Sequence, residues 1–209
     1  MLRSIKNFFF PPPPPPKPIV GRQQASDWYD EKYTDSEKYE QPYFQSIYYP
    51  LWSVVVDRLD GYQQRALLDL GCGPGQFASL LAAQNFTSYC GVDFSSVAIA
   101  RAKEVCDSFE FLTADLTQSD LLATRTYDCI ITMEFLEHVE EDLAVVSQIR
   151  AGTRVIATVP NFPSESHVRH FTSAEAVRER YAPQFQELSV KEFRLTEKCV
   201  FYLLDGLKT

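Results

Sequence analysis

From Arg65 onward, short apolar runs alternate with stretches in which apolar residues recur at helical spacing. Strands are predicted at about 65–70, 88–93, 109–114, 127–133 and 153–159. Helices are predicted at about 75–85, 96–106 and 140–150, with 115–126 mainly loop. The strands are near-continuously apolar, as expected of a parallel sheet covered on both faces. A helix at about 173–181 follows, opened by the capping-box pattern Thr172-x-x-Glu175. Two strand-like runs, 186–195 and 198–205, then lie close enough to pair as a hairpin around Thr196-Glu197.

The chain before Arg65 is patterned differently. Residues 27–52 hold six of the eleven tyrosines and both tryptophans, Trp28 and Trp52, among interleaved charges. Pro42 is placed to start a helix, with Tyr48, Leu51, Trp52, Val55 and Leu59 on one face. Such a segment either packs on the domain or roofs a ligand pocket. Residues 11–18 read PPPPPPKP, a polyproline II rod. The rod is a spacer, or more weakly a ligand for an aromatic groove on a partner. The expected organisation is an extended tail at 1–26, an aromatic-rich helical lid at 27–60 and the main domain at 61–209.

Composition narrows the function. The chain has 209 residues, enough for one domain and an appendage. Its net charge of −8 argues against nucleic acid, whose binding needs Lys and Arg against phosphates. No apolar run is long enough to span a membrane. The five cysteines are odd in number and form no C-x-x-C pair, which suits reduced thiols and a cytoplasmic location. The N-terminal residues do not read as a secretory signal.

The densest chemical signal is LLDLGCGPGQF at 67–77. A strand runs into Gly71, Gly73 and Gly75, three of only eight glycines, and a helix follows. This G-x-G-x-G departs from the dinucleotide fingerprint G-x-G-x-x-G and by itself marks only a tight strand-to-helix turn. Asp93 closes the second strand, where a carboxylate can accept hydrogen bonds from ribose hydroxyls or cap the next helix. Asp115 follows the third strand, where it can accept from an adenine amino group or cap its own loop. All three signals fall at carboxyl ends of parallel strands, the edge at which open α/β sheets bind ligands.

On these residues the chain resembles the class I S-adenosylmethionine-dependent methyltransferases, most sharply over 67–142. The resemblance implies a Rossmann-like, doubly wound, mostly parallel seven-stranded sheet, with 198–205 inserted as an antiparallel C-terminal strand. It places Asp69, Gly71, Cys72, Gly73 and Gly75 around the methionyl part of S-adenosyl-L-methionine. Asp93 with Phe94 falls at the ribose, Asp115 with Leu116 at the adenine, and Glu134 beside the cofactor. No N/D-P-P-Y follows the fourth strand; the stretch is Met133-Glu134-Phe135-Leu136, and Glu137-His138-Val139 continues it. That form is more similar to small-molecule methyltransferases of the ubiquinone-biosynthesis type. The implied partner is a small-molecule acceptor with an O or N nucleophile. A protein or peptide acceptor, or a non-catalytic binding module, is the alternative.

Methyl transfer from a sulfonium needs close alignment, and a hydroxyl nucleophile gains from a base. The only histidines are His138, His167 and His170, all in loops at the predicted binding edge. They are the candidate catalytic residues. The pair His167-x-x-His170 sits in a proline-bounded loop without cysteines or an H-E-x-x-H helix, so no metal is expected. Arg169 between them would pair a substrate anion or make a structural salt bridge. Tyr29 and Tyr33 share a helical face and are expected to line the pocket as part of a lid that orders on ligand binding.

Overall fold

A computed structural model describes residues 20–209; the polyproline run lies outside the described residues. Seven strands form one sheet in the order β3-β2-β1-β4-β5-β7-β6. They are β1 (Leu67–Leu70), β2 (Tyr89–Asp93), β3 (Glu110–Thr113), β4 (Cys129–Met133), β5 (Arg154–Pro160), β6 (Phe185–Arg194) and β7 (Val200–Lys208). Pairs among β1 to β5 are parallel, and β7 runs antiparallel to both β5 and β6. The expected hairpin therefore forms, and its second strand is the inserted one. It runs on to Lys208, beyond the predicted end at 205, because Leu207 still pairs with Arg154.

Helices α3 (Gln76–Ala83) and α4 (Ser96–Val105) connect the first three strands. α5 (Leu121–Thr124) is a single turn, so the 115–126 stretch is mostly loop as predicted. α6 (Asp142–Ser147) is shorter than the predicted 140–150. The remaining residues turn at Gly152, whose positive φ of 78° reverses the chain into β5. α7 (Ala174–Tyr181) is capped by Ser173, whose hydroxyl accepts from Ala176 N at 3.1 Å. The predicted cap, Thr172, lies one residue too early.

The sheet is covered on both faces. One apolar cluster joins Leu68, Leu70, Val92 and Ile130 to Val145, Val177 and Tyr181. The other joins Leu67, Ile131 and Ile156 to Phe77, Leu81, Ile99, Trp52 and Val55. Leu81 is fully buried, and truncating such a side chain costs about 2–5 kcal/mol.

Two helices precede the sheet. α1 (Ser26–Asp35) buries no residue, whereas α2 (Tyr49–Arg58) buries Leu51, Trp52 and Val55. The predicted face of α2 is correct, but Pro42 opens only the single turn Tyr43–Gln45. The helix itself starts at Tyr49, with Pro50 in its first turn, where the missing N–H has no helical partner to lose. The chain docks before α1: Arg22 N donates to Glu165 O at 3.1 Å, and Gln23 Oε1 accepts from Glu140 N at 2.7 Å. Residues 22–24, grouped with the tail by sequence, are thus bonded to the domain.

Candidate active site

The carboxyl edge of β1 and β2 is built largely from backbone. Gly75 has φ +85°, and a Cβ there would stand 2.8 Å from Ala102 Cα, so the glycine lets α3 lie against α4. Gly73 has φ +55° and faces the Tyr33 ring, leaving room for one atom layer between loop and helix α1. Asp93 holds this loop. One of its carboxylate oxygens accepts from Gly73 N at 3.0 Å, the other from Ser95 N at 2.9 Å. Burial pushes its carboxyl up to about 6, while those backbone donors oppose the rise. The helix cap itself is Ser95, whose Oγ accepts from Ala98 N at 3.0 Å. Asp93 is therefore a brace between two turns rather than the cap.

Two cavities meet at this edge. The smaller, about 80 Å³, is lined by Asp93, Phe94, Asp115, Leu116, Gln23 and Gln24 among others. The larger, about 1360 Å³, reaches Asp69, Cys72, Gly73, Tyr48, Trp52 and Phe162. Tyr29, Tyr33, Gly71, Glu134 and His138 border both. The carboxylate of Asp115 is turned into its own loop, accepting from Thr117 N at 2.9 Å and Gln118 Nε2 at 2.8 Å. Asp69 accepts from the Tyr89 hydroxyl at 2.6 Å, and burial pushes its carboxyl up to about 7. Cys72 is buried against the β2 backbone at Gly91, and burial raises its thiol.

The loop after β4 supplies the ionisable corner. Glu134 sits at φ 55° and accepts from Thr158 Oγ1 at 3.2 Å. Glu137 is wholly buried, and neither of its oxygens has a hydrogen-bond partner. Burial and the neighbouring Glu134 carboxyl push it up, since two close carboxylates do not both ionise readily. His138 Nδ1–H donates to Ser166 O at 2.9 Å, and its Nε2, without a hydrogen bond, faces Glu137 Oε1 at 3.8 Å. Burial and the nearby His167 lower its pKa to about 4, so the ring is neutral near pH 7. His167 Nδ1–H likewise donates to Phe162 O at 2.9 Å. Glu137, His138 and His167 offer ligand atoms all within 4.8 Å of one another, a set able to hold a metal ion.

A methyltransferase domain family model matches residues 4–193. The chain belongs to this methyltransferase family. The ubiquinone biosynthesis O-methyltransferase of Aliivibrio fischeri (strain MJ11) is 28% identical over 129 residues, 58% of this chain and 55% of that protein. That of Nitrosomonas europaea is 28% identical over 127 residues, 57% of this chain and 54% of the relative. The chain thus spans about half the length of these relatives. Among solved structures, magnesium protoporphyrin IX methyltransferase of Synechocystis PCC 6803 with bound SAH superposes with TM-score 0.63 at 19% identity. That match covers 88% of this chain and 100% of the other. A DhpI–SAH complex superposes with TM-score 0.61 at 18% identity, over 87% and 94% of the two chains. These likenesses show the class I methyltransferase fold.

In this methyltransferase-family chain, the sequence-predicted residues divide clearly. Asp93, Phe94, Leu116, Glu134, Tyr29, Tyr33 and His138 converge on the cavities. His167 joins His138, their rings 4.8 Å apart, instead of pairing with His170. His170 is exposed and borders neither cavity, because the chain turns at Val168, whose N–H is tied to Glu137 O at 2.8 Å. Arg169 does not face an anion site. It donates to Leu136 O at 2.6 Å, Val139 O at 2.5 Å and Glu140 O at 2.8 Å, and pairs with buried Asp142 at 3.3 Å. It ties the β5 loop to the β4 loop. Sequence reasoning gave no role to Glu137; the readable signal was a carboxylate inside the run Phe135-Leu136-Glu137-His138-Val139. Gln23, Gln24 and Phe162 carried no such signal, since their positions depend on long-range docking.

Proposed function

We propose that the chain transfers a methyl group from S-adenosylmethionine to a hydroxyl of a small molecule. Bound at this edge, S-adenosylmethionine supplies an electrophilic methyl on a sulfonium. The residues fit it: a loop of close-approach glycines, a buried acid at Asp93 and a cavity past Phe94 and Leu116. The observation that carries the reading is the place of His138. It borders both the smaller cavity and the large aromatic cleft, with Nδ1–H committed to a carbonyl and Nε2 left without a hydrogen bond, 3.8 Å from the Glu137 carboxyl. A neutral imidazole so held accepts the acceptor hydroxyl's proton as the oxygen attacks. Tyr48, Trp52 and Phe162 give the cleft flat apolar walls suited to a small organic acceptor.

The test is His138→Ala. Turnover should fall roughly 100-fold or more while affinity for S-adenosylhomocysteine stays within about twofold. Labelled methyl should appear in a small-molecule fraction of cell extract. Label in protein would replace the acceptor class. Cofactor binding with no labelled product would leave a non-catalytic module.

The Glu137 corner supports a second reading. A buried carboxylate without partners beside two imidazoles, each with Nδ1–H on a carbonyl, is the arrangement metal-ligating histidines show. A divalent cation held by Glu137, His138 and His167 would polarise the acceptor oxygen. Calorimetry of chelator-treated protein with Mn²⁺ separates the readings: binding lost in His167→Ala supports the metal, and absence of binding leaves the base.

A further inference from the structure

Helix α1 lies across the smaller cavity, and its Tyr29 and Tyr33 form part of the roof. No residue of α1 is fully buried; part-buried Tyr29 and Tyr33 rest on Phe94, His138 and the glycine loop, so the helix is held only in part by apolar contact. Its ends are tethered separately. Gln23 accepts from Glu140 N before it, and Gln76 Nε2 donates to Lys38 O and Gln41 O after it. Among the described residues, Asp30 makes the only hydrogen bonds between α1 and the rest of the chain. Its Oδ1 accepts from Ser95 Oγ at 2.5 Å and stands 3.4 Å from Val97 N.

The receiving point matters. Ser95 is fully buried and caps α4, and its N–H is the donor that braces Asp93. Asp30 and Asp93 thus meet the same helix N-terminus, whose unpaired N–H groups and positive dipole end favour carboxylates. The roofed cavity, at about 80 Å³, is far below the roughly 300–1,000 Å³ of pockets that bury drug-sized ligands. A nucleoside therefore fits beneath α1 only if the space between helix and sheet widens.

We propose that Asp30 is the latch of α1, a positioning residue that holds Tyr29 and Tyr33 over the adenosyl end of the cofactor and sets its residence time. The proposal rests on the cofactor reading above. Closing the latch needs no new apolar contact: it exchanges water around one carboxylate for the Ser95 hydroxyl and the α4 terminus. Opening α1 leaves the sheet, the glycine loop and the two flanking tethers in place, so the lid moves without local unfolding of the core.

The experiment is stopped-flow release of S-adenosylhomocysteine, read by Trp28 on α1, from wild type, Asp30→Asn and Asp30→Ala. Loss of a charge-assisted hydrogen bond should speed release roughly tenfold in Asp30→Ala. Asp30→Asn, which keeps an acceptor but not the charge, should fall between. The thermal midpoint should stay within about 2 °C of wild type, since α1 contributes no core residue. Hydrogen exchange at 26–35 should quicken in the free variants and nowhere else. Equal release rates in wild type and Asp30→Ala would overturn the latch alone. A loss of stability with release unchanged would make Asp30 merely structural. Failure of wild type to bind S-adenosylhomocysteine would remove the cofactor reading and the latch together.

Discussion

The two walls of the smaller cavity are made by opposite means. The glycine loop and Asp93 belong to the sheet: their positions follow from β1 and β2, and the surrounding atoms are buried. The opposite wall, α1, rests on the domain through aromatic rings and the bonds of Asp30, with no buried residue. Tyr29 contacts Phe94 at 5.2 Å and His138 at 5.9 Å between ring centroids, yet its hydroxyl has no partner. One wall is rigid because hydrophobic burial scales with the area removed from water. The other is held by part-buried aromatic rings and a few polar bonds, each worth little net in water, which is the basis of the proposed latch. A site that must admit a nucleoside and then exclude water has reason to be built from one wall of each kind.

The contrast can be broken most strongly at Asp93. Asp93→Ala removes the carboxylate that braces Gly73 and would meet the ribose. Affinity for S-adenosylhomocysteine should fall roughly tenfold to a thousandfold by calorimetry. An unchanged dissociation constant in folded protein would detach the cofactor from this wall.

Stability separates the walls next. Gly75→Ala adds a Cβ against the Ala102 backbone at positive φ, which should cost about 2–4 kcal/mol in urea unfolding. Gly152→Ala has the same sign of φ but nothing within 4 Å, so it should cost only about 1–2 kcal/mol. Equal losses would mean that backbone strain alone, not helix packing, sets the need for glycine in the loop.

A smaller effect follows from pH. The folded state holds the Asp69 carboxyl up to about 7, against an unfolded value near 3.8, because it is buried. Between those values this site binds more protons in the folded chain, so its contribution to stability falls as pH rises from about 4 to 7. Asp69→Asn, which keeps an acceptor for Tyr89, should flatten that slope in denaturant titrations at several pH values. An identical slope would place the proton elsewhere. The smallest effect belongs to the lid. Tyr29→Phe removes a buried hydroxyl with no partner and should leave the thermal midpoint unchanged or slightly higher.

Much of the fold was legible because its signals are local. Apolar runs of strand length, the glycines at 71, 73 and 75, and the spacing to Asp93 and Asp115 all lie within about one turn or one strand of the feature they predict. Errors of one or a few residues, such as Ser173 for Thr172 or the start of α2, arose where neighbouring residues can each cap or open a helix and packing chooses between them. Phe94 and Leu116 line the smaller cavity, since they lie one and three residues past the ends of β2 and β3.

What the chain by itself determined is therefore the α/β sheet, its glycine turn and the acids at its carboxyl edge, because β-strand and helix periods are written in adjacent residues. Only the tertiary structure decided that His138 meets His167 rather than leaving His170 beside it, that Arg169 stitches two loops, and that Asp30 reaches Ser95. Those contacts join residues 28 or more positions apart, and a hydrogen bond needs its donor and acceptor within about 3 Å. No local pattern encodes that distance; the packing of the elements on the sheet does.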